Sequence, residues 1–388
     1  MEYKLKELTT KITKGTTPSN IGEDFSESGV MYFRSELLGK SKYIDKSEGL
    51  LYITEEVHNK LKRSQIEKND ILFSMAGIYL GKISLVGDDD YPANTNQAVA
   101  IIRLKPNVCN LDYLYYYMTQ KRFTVYVNSR TAQAAQPNIN LEQIGNLKVE
   151  LPSIDIQDKV ANILSRYDEL IANNNKRIKL LEQMAENLYK EWFVHFRFPS
   201  YENAEFEDGI PVGWKKIGIS DVYDIKYGKT LPTFEIGTSG EFAVYGANGV
   251  IGYYDKFNCD NYVTLITSRG NGSGDVLRTH HKKSFITNNS FTVTPKEQYN
   301  YLKHEFTYWL MKNVNFKSVC SGAAQPQLTN NSINSLSITL PDSEIINSFC
   351  NMVGDYFALI ENLLEENENL IKQRDLLLPR LMSGKLEV

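Results

Sequence analysis

Apolar positions along this chain follow two rhythms that alternate twice. Leu147, Val149 and Leu151 are spaced by polar residues, as are Leu336, Ile338 and Leu340, and each run reads as a strand stopped by Pro152 or Pro341. After each proline the period becomes helical, with Ser153 or Asp155, and Asp342 or Ser343, as candidate caps. The first helix carries a seam of Leu164, Tyr167, Ile171, Asn174, Ile178, Leu181, Ala185, Leu188 and Trp192. The second repeats it as Val353, Tyr356, Ile360, Leu363, Asn367, Leu370, Arg374 and Leu377. Alternating three- and four-residue steps sustained over about four heptads predict a coiled coil. The alternative is that each helix packs only on the domain before it. Isolated seam asparagines fix register, which suits two helices meeting each other. A helix over 155–192 would be roughly 57 Å long, enough to hold two domains apart.

The regions before the helices have short β-branched and aromatic runs broken by Gly, Asn, Asp and Ser. Val244–Tyr254 and Tyr262–Ile266 read as strands with tight turns, while Leu111–Gln120 and Tyr301–Lys312 read as helices. The expected fold class is α+β: two mixed, strand-rich globular domains separated by two long helices that pair as an antiparallel coiled coil with pseudo-two-fold symmetry. The expected boundaries are 1–150 and 199–341 for the globular domains, and 151–198 and 342–388 for the helices.

These halves are copies. Ala134-Ala135-Gln136-Pro137 recurs as Ala323-Ala324-Gln325-Pro326, an offset of 189. The same offset carries Leu151-Pro152 to Leu340-Pro341, Tyr167 to Tyr356, Asn173 to Asn362 and Leu188 to Leu377. A register held this long marks two duplicated domains, not a solenoid of short repeats. Upstream the copies drift. Ile12-Thr13-Lys14-Gly15 echoes Ile225-Lys226-Tyr227-Gly228, and Thr95-Asn96-Gln97 echoes Thr287-Asn288-Asn289. Leu72–Gly77 echoes Leu265–Gly270 at an offset of 193, and the second copy is shorter, mostly opposite positions 20–60 of the first. Helices in register with drifting domains suggest one scaffold carrying two different recognition surfaces.

Composition narrows the class. Hydrophobic residues make up 42% of the 388, enough for sizeable cores, and no apolar run reaches a membrane-spanning length. The start, Met1-Glu2-Tyr3-Lys4-Leu5-Lys6, lacks the apolar stretch of a signal peptide. Cys109, Cys259, Cys320 and Cys350 are scattered and read as reduced thiols, so a soluble cytoplasmic protein is expected. The net charge of −4 lies in the last helix: residues 342–388 hold 4 Lys and Arg against 9 Asp and Glu, and the rest is balanced. Bulk charge therefore neither supports nor excludes a nucleic-acid partner.

Catalytic patterns do not emerge. There is no phosphate loop, no GxSxG elbow, no HExxH and no Asn-Pro-Pro-aromatic motif. Gly270-Asn271-Gly272-Ser273-Gly274 resembles the start of a dinucleotide fingerprint, but no amphipathic helix follows, so it reads as a turn between strands. The adjacent His280 and His281 read as exposed loop residues. No metal ligands are expected. What remains suits recognition: Lys14, Arg34, Ser74, Tyr79, Lys82, Asn96 and Gln97 in the first copy, and Lys229, Tyr245, Asn248, Ser268, Arg269, Asn271, Ser273, Asn288 and Asn289 in the second. Arg can fork onto guanine and Asn or Gln onto adenine, while Ser, Thr and Lys hold phosphates. Taken one at a time, each reads better as an ordinary solvated loop residue, and only together do they point to recognition.

Together these features resemble the specificity subunit of type I restriction-modification systems. The likeness rests on the tandem units, the helices opening at Leu151-Pro152-Ser153-Ile154-Asp155-Ile156-Gln157 and Leu340-Pro341-Asp342, and the Tyr245–Tyr254 and Ser268–Gly274 turns. It extends to Leu188-Tyr189-Lys190-Glu191-Trp192-Phe193-Val194 and to the ending Gln373–Gly384. The first helix departs by opening with Ser153-Ile154-Asp155, where the family often has a second proline and a glutamate. The resemblance implies a non-catalytic subunit whose two domains each read half of a split double-stranded DNA target. It implies two modification subunits that methylate adenine with S-adenosylmethionine, and two restriction subunits that use ATP and Mg. This chain itself would bind no cofactor. Two other classes stand beside it: a coiled-coil scaffold whose domains bind proteins, and an enzyme with an unrecognised site.

Overall fold

The structure, a computed structural model, describes residues 1–46, 49–131, 137–322 and 326–388. Of the two Ala-Ala-Gln-Pro runs only Pro137 and Pro326 fall within the described residues. The chain forms two compact units, Met1–Ala172 with Asn369–Val388, and Asn173–Glu368. The division passes through both long helices, Ile154–Tyr189 and Ser343–Met382, so each unit joins one strand-rich region to a stretch of each helix.

In the first unit a four-stranded antiparallel sheet runs in the order Thr9–Lys14, Val99–Leu104, Ile71–Ser74, Ile83–Leu85. A three-stranded sheet places Val30–Phe33 between antiparallel Leu51–Ile53 and parallel Ala93–Thr95. Glu2–Lys4 pairs with Lys148–Glu150, bringing the start of the region to the foot of the first long helix. Strands such as Ile71–Ser74 are buried along their whole length, which is why they read as continuous apolar runs rather than alternating ones.

Every one of these pairings recurs in the second unit. Tyr223–Tyr227, Ser290–Pro295, Thr264–Thr267 and Val276–Arg278 form the four-stranded sheet in the same order. Phe242–Gly246 lies between antiparallel Gly249–Tyr254 and parallel Ser284–Ile286, and Lys215–Gly218 pairs with Ser337–Leu340. The helices Leu111–Thr119 and His304–Lys312 correspond as well. Most of the difference in length sits in two connections: residues 34–50 join the first two strands of the three-stranded sheet in the first unit, but only Ala247 and Asn248 do so in the second, and residues 54–70 lead on to the four-stranded sheet where 255–263 do so in the second.

Within each unit the helix stretches run antiparallel. In the first, Val160, Ala161 and Leu164 share a core with Leu377, Leu378, Leu381 and Met382, and Arg374 pairs with Asp168. In the second, Tyr189, Trp192 and Phe193 pack their rings against Phe349. Along the seam, Leu164, Asn174, Val353, Ile360, Leu363 and Asn367 are buried, while Tyr167, Ile171, Ile178, Leu181, Tyr356 and Leu370 are half-buried. Asn174 Nδ2 donates to Asn367 Oδ1 at 3.1 Å, and Asn367 Nδ2 donates to Asn175 Oδ1 at 2.9 Å, so both polar atoms of the Asn367 amide find partners on the first helix. Arg374 interrupts the apolar seam for a similar reason, since Asp168 faces it. The first long helix ends in a π-helical turn, Lys190–Val194, that carries Trp192.

The acidic second helix also has a structural use. Arg278, buried at the end of its strand, pairs with Glu361 at 2.6 Å and lies over the Phe357 ring at 4.4 Å. His281 Nε2 meets Glu368 at 2.9 Å. The expectation of exposed loop histidines does not hold: both His280 and His281 are half-buried and face carboxylates of this helix. Sequence spacing alone cannot reveal a partner 80 residues away. The corresponding anchor in the first unit uses a buried lysine, with Lys42 Nζ 2.9 Å from Asp112 and 3.1 Å from Ser165 Oγ on the first long helix.

Candidate nucleic-acid interface

One end of the four-stranded sheet gathers most of the recognition residues in each unit, and strand register is the cause. In the first unit Lys14 stands opposite Ala100 and Ser74 opposite Val99, so the end of one strand and the start of its neighbour meet. Asn96 and Gln97 lead into that same neighbour, and Gln97 Oε1 accepts from the Thr17 hydroxyl. Ser74, Tyr79 and Lys82 share one turn: Ser74 N–H donates to Lys82 O and Gly81 N–H to Ser74 O, both at 2.9 Å. The Lys82 ammonium sits 5.2 Å from the Tyr79 ring centre. Arg34 follows Phe33 at this end, since Phe33 runs parallel beside Thr95, and it pairs with Glu36 at 2.7 Å.

In the second unit Lys229 N–H donates to Ile286 O and Asn288 N–H to Lys229 O. Asn289 O accepts from Ser268 N–H, which ties the Ser268–Gly274 turn to the same edge. Asn248, in the two-residue turn, closes the group, because Thr267 Oγ1 donates to the neighbouring Ala247 O at 2.6 Å.

The two turns have one backbone. Gly77 N–H donates to Pro137 O and Gly270 N–H to Pro326 O, both at 3.1 Å. Gly81 is matched by Gly274, which donates to Thr267 O at 2.8 Å. Gly77 and Gly270 have φ of 67° and 88° with open space around them, so conformation rather than crowding calls for glycine there. Crowding does account for the Gly15 and Gly228 echo. A Cβ on Gly15 would lie 1.9 Å from Thr95 O, and one on Gly228 2.3 Å from Thr287 O. Two motifs far apart in sequence thus prove to be one packed feature, present twice.

Not every expected side chain faces outward. Lys82, Gln97, Lys229, Asn248, Arg269 and Asn271 are exposed, and Lys14, Arg34, Tyr79, Asn96, Asn288 and Asn289 partly so. Ser74, Tyr245, Ser268 and Ser273 are buried, which departs from their expected place on the recognition surface. Ser268 Oγ donates to Asn288 O and Ser273 Oγ to Ser268 O, so these hydroxyls brace the turn. Tyr245 points away from the edge, where its oxygen accepts from His280 N–H at 2.8 Å and meets His281 Nδ1 at 2.9 Å. Burial pushes the Tyr245 hydroxyl up to about 12, so it stays protonated and can donate to that ring nitrogen.

Sequence reasoning missed three contributors. Arg63 reaches this edge through a 3.2 Å bond to Thr16 Oγ1, and nothing in its local sequence signals it. Asn138 forms an isolated bridge with Ala76, and Gln327 with Arg269. Their signal was available, since each follows the proline of the Ala-Ala-Gln-Pro repeat, by one residue in both copies. The assembled edges combine cations for phosphate oxygens with amides whose geometry matches adenine. Among the described residues no group of three or more His, Cys, Asp or Glu is placed to hold a metal ion. No helix there is long and apolar enough to cross a membrane.

A sequence-family model for the type I restriction modification DNA specificity domain matches residues 1–183 and 211–368. The chain is similar to the type I restriction enzyme MjaIX specificity subunit of Methanocaldococcus jannaschii, with 26% identity over 97% of this chain and 91% of the relative. It is similar to the HindI specificity subunit of Haemophilus influenzae at 23%, over 84% and 88% of the two chains. Its fold resembles the crystal structure of a type I restriction-modification S subunit from M. genitalium, with a TM-score of 0.55 at 18% identity, over 98% and 95% of the two chains.

Proposed function

Because this chain belongs to the type I restriction modification DNA specificity family, we propose that it reads a two-part double-stranded DNA target, one half with each strand-rich region, for a modification and restriction complex. Residues 1–150 and 199–341 act as the two target recognition domains, and 151–198 and 342–388 as the helical spacer that sets the unread gap. The chain catalyses nothing itself. Two modification subunits use S-adenosylmethionine to methylate adenine at the site it selects, and two restriction subunits use ATP and Mg to cleave. The complex works in the cytoplasm.

One observation carries this reading: the same sheet edge gathers cations and amides in both units, on an identical turn backbone with different side chains. A repeated scaffold with differing recognition loops suits a target of two unlike halves. The near-neutral charge of each domain fits a reader whose partner subunits share the phosphate contacts.

The test is an exchange of residues 1–150 for the corresponding domain of a relative, followed by methylome sequencing in cells that also express the modification partner. One half of the methylated motif should change and the other stay. A change in both halves, or in neither, would refute the assignment of one domain to one half-site.

A further inference from the structure

The two matched turns differ most at their tips. Gly77-Ile78-Tyr79-Leu80-Gly81 stands where the second unit has Gly270-Asn271-Gly272-Ser273-Gly274. Ile78 is 87% exposed, against 66% for Leu376, the next most exposed large hydrophobic of the first unit's described residues after Met1. Scattered exposed hydrophobics are ordinary. This one is not demanded by the fold, however, because the same backbone accepts an asparagine in the second unit. Asn271 is likewise exposed, and its amide makes no hydrogen bond among the described residues. Each tip therefore projects one uncommitted side chain from the edge that holds Lys14 and Gln97, or Lys229 and Asn248.

These two side chains differ in what they can read. In the major groove thymine is marked by its C5 methyl, which favours apolar contact, while adenine offers the N6 donor and N7 acceptor that an asparagine amide matches bidentately. Resting on the reading that each unit recognises duplex DNA, we propose that this tip position selects one base in each half-site. Ile78 selects a thymine through its methyl group, and Asn271 selects an adenine through N6 and N7. Backbone hydrogen bonds fix the turn, so the tip side chain can be exchanged while the neighbouring contacts stay in place.

The experiment uses the full chain assembled with its modification partner on duplex libraries randomised across both half-sites, with the methylated motif read by sequencing. Ile78→Asn should move one position of one half-site from thymine to adenine, and Asn271→Ile should make the reverse change in the other half. A second arm keeps the natural protein and replaces the thymines of the first half-site by deoxyuridine, one at a time. Binding should weaken about fourfold at a single position, the fold-change equivalent to ~0.8 kcal/mol for one buried methyl, and Ile78→Asn should abolish that dependence. If the natural assembly methylates no two-part motif, DNA reading itself fails. If it methylates one, and the variants leave the motif unchanged or weaken all sequences alike, or no deoxyuridine position matters, only the tip assignment is overturned.

Discussion

Replacing Glu361 with glutamine should destabilise the second unit by about 3–5 kcal/mol, the range for depriving a buried ion of its partner. Arg278 is 4% exposed, and Glu361 Oε1 is 2.6 Å from its Nη1. Glu182 is too distant to substitute, at 3.9 Å, and among the described residues Arg278 Nη2 has no hydrogen-bond partner. The Phe357 ring, 4.4 Å from the guanidinium, contacts it in parent and variant alike, so it does not change the difference between them. A glutamine oxygen can still accept from Arg278, so the lower end, about 3 kcal/mol, is expected. Exchanging both partners, Arg278→Met with Glu361→Leu, removes the ions altogether and should fall within about 1 kcal/mol of the parent or exceed it. The chain's three tryptophans, Trp192, Trp214 and Trp309, all lie in the second unit's core. Tryptophan fluorescence in urea therefore follows that unit without assuming that the whole chain unfolds in one step. A Glu361→Gln cost below about 1 kcal/mol, typical of an exposed pair, would refute the argument. So would a double variant no better than the single one.

The same fluorescence signal tests the seam and the half-buried His304. Asn174→Leu removes the donor that satisfies Asn367 Oδ1 and should cost about 1–3 kcal/mol, whereas adding Asn367→Leu should recover stability by making the seam apolar. A double variant less stable than the single one would contradict this. Burial, helped by the nearby Arg278 and His280 charges, lowers His304 from 6.5 to about 3. Below pH 6.5 the unfolded chain takes up a proton that the folded unit excludes, so this contribution is complete above pH 6.5 and is lost as pH falls toward 3. Between pH 7 and 5 the loss is about 2 kcal/mol. His304→Phe, which retains the ring contacts with Tyr262 and Phe357, should lose that much less stability on acidification than the parent. Equal pH slopes would rule the assignment out.

What the sequence made legible was whatever depends on local spacing. The helical seams could be followed residue by residue, and even their interruptions were informative, since Asn174 meets Asn367 and Arg374 meets Asp168. The hairpin around Ala247 and Asn248 followed from its turn residues. Contacts between distant segments were hidden, and they decide which side chains are available. Ser268 and Ser273 look like Asn271 in a glycine-rich stretch, yet two hydroxyls turn inward to backbone carbonyls while the amide stays outside. His280 and His281 looked like solvated loop residues until the second helix brought Glu361 and Glu368 to them.

Ile78 shows how the two kinds of information combine. The offset of 193 already aligned Gly77 with Gly270, but only the sheet register showed that the residue after each glycine occupies the same tip. Gly77, Gly81, Gly270 and Gly274 all have positive φ, so the turn is specified by its glycines and its carbonyl partners rather than by the residues between them. That separation leaves the tip free to vary without disturbing the fold. Duplication could then keep the turn while substituting an amide for an alkyl group at the position where the turn is most exposed.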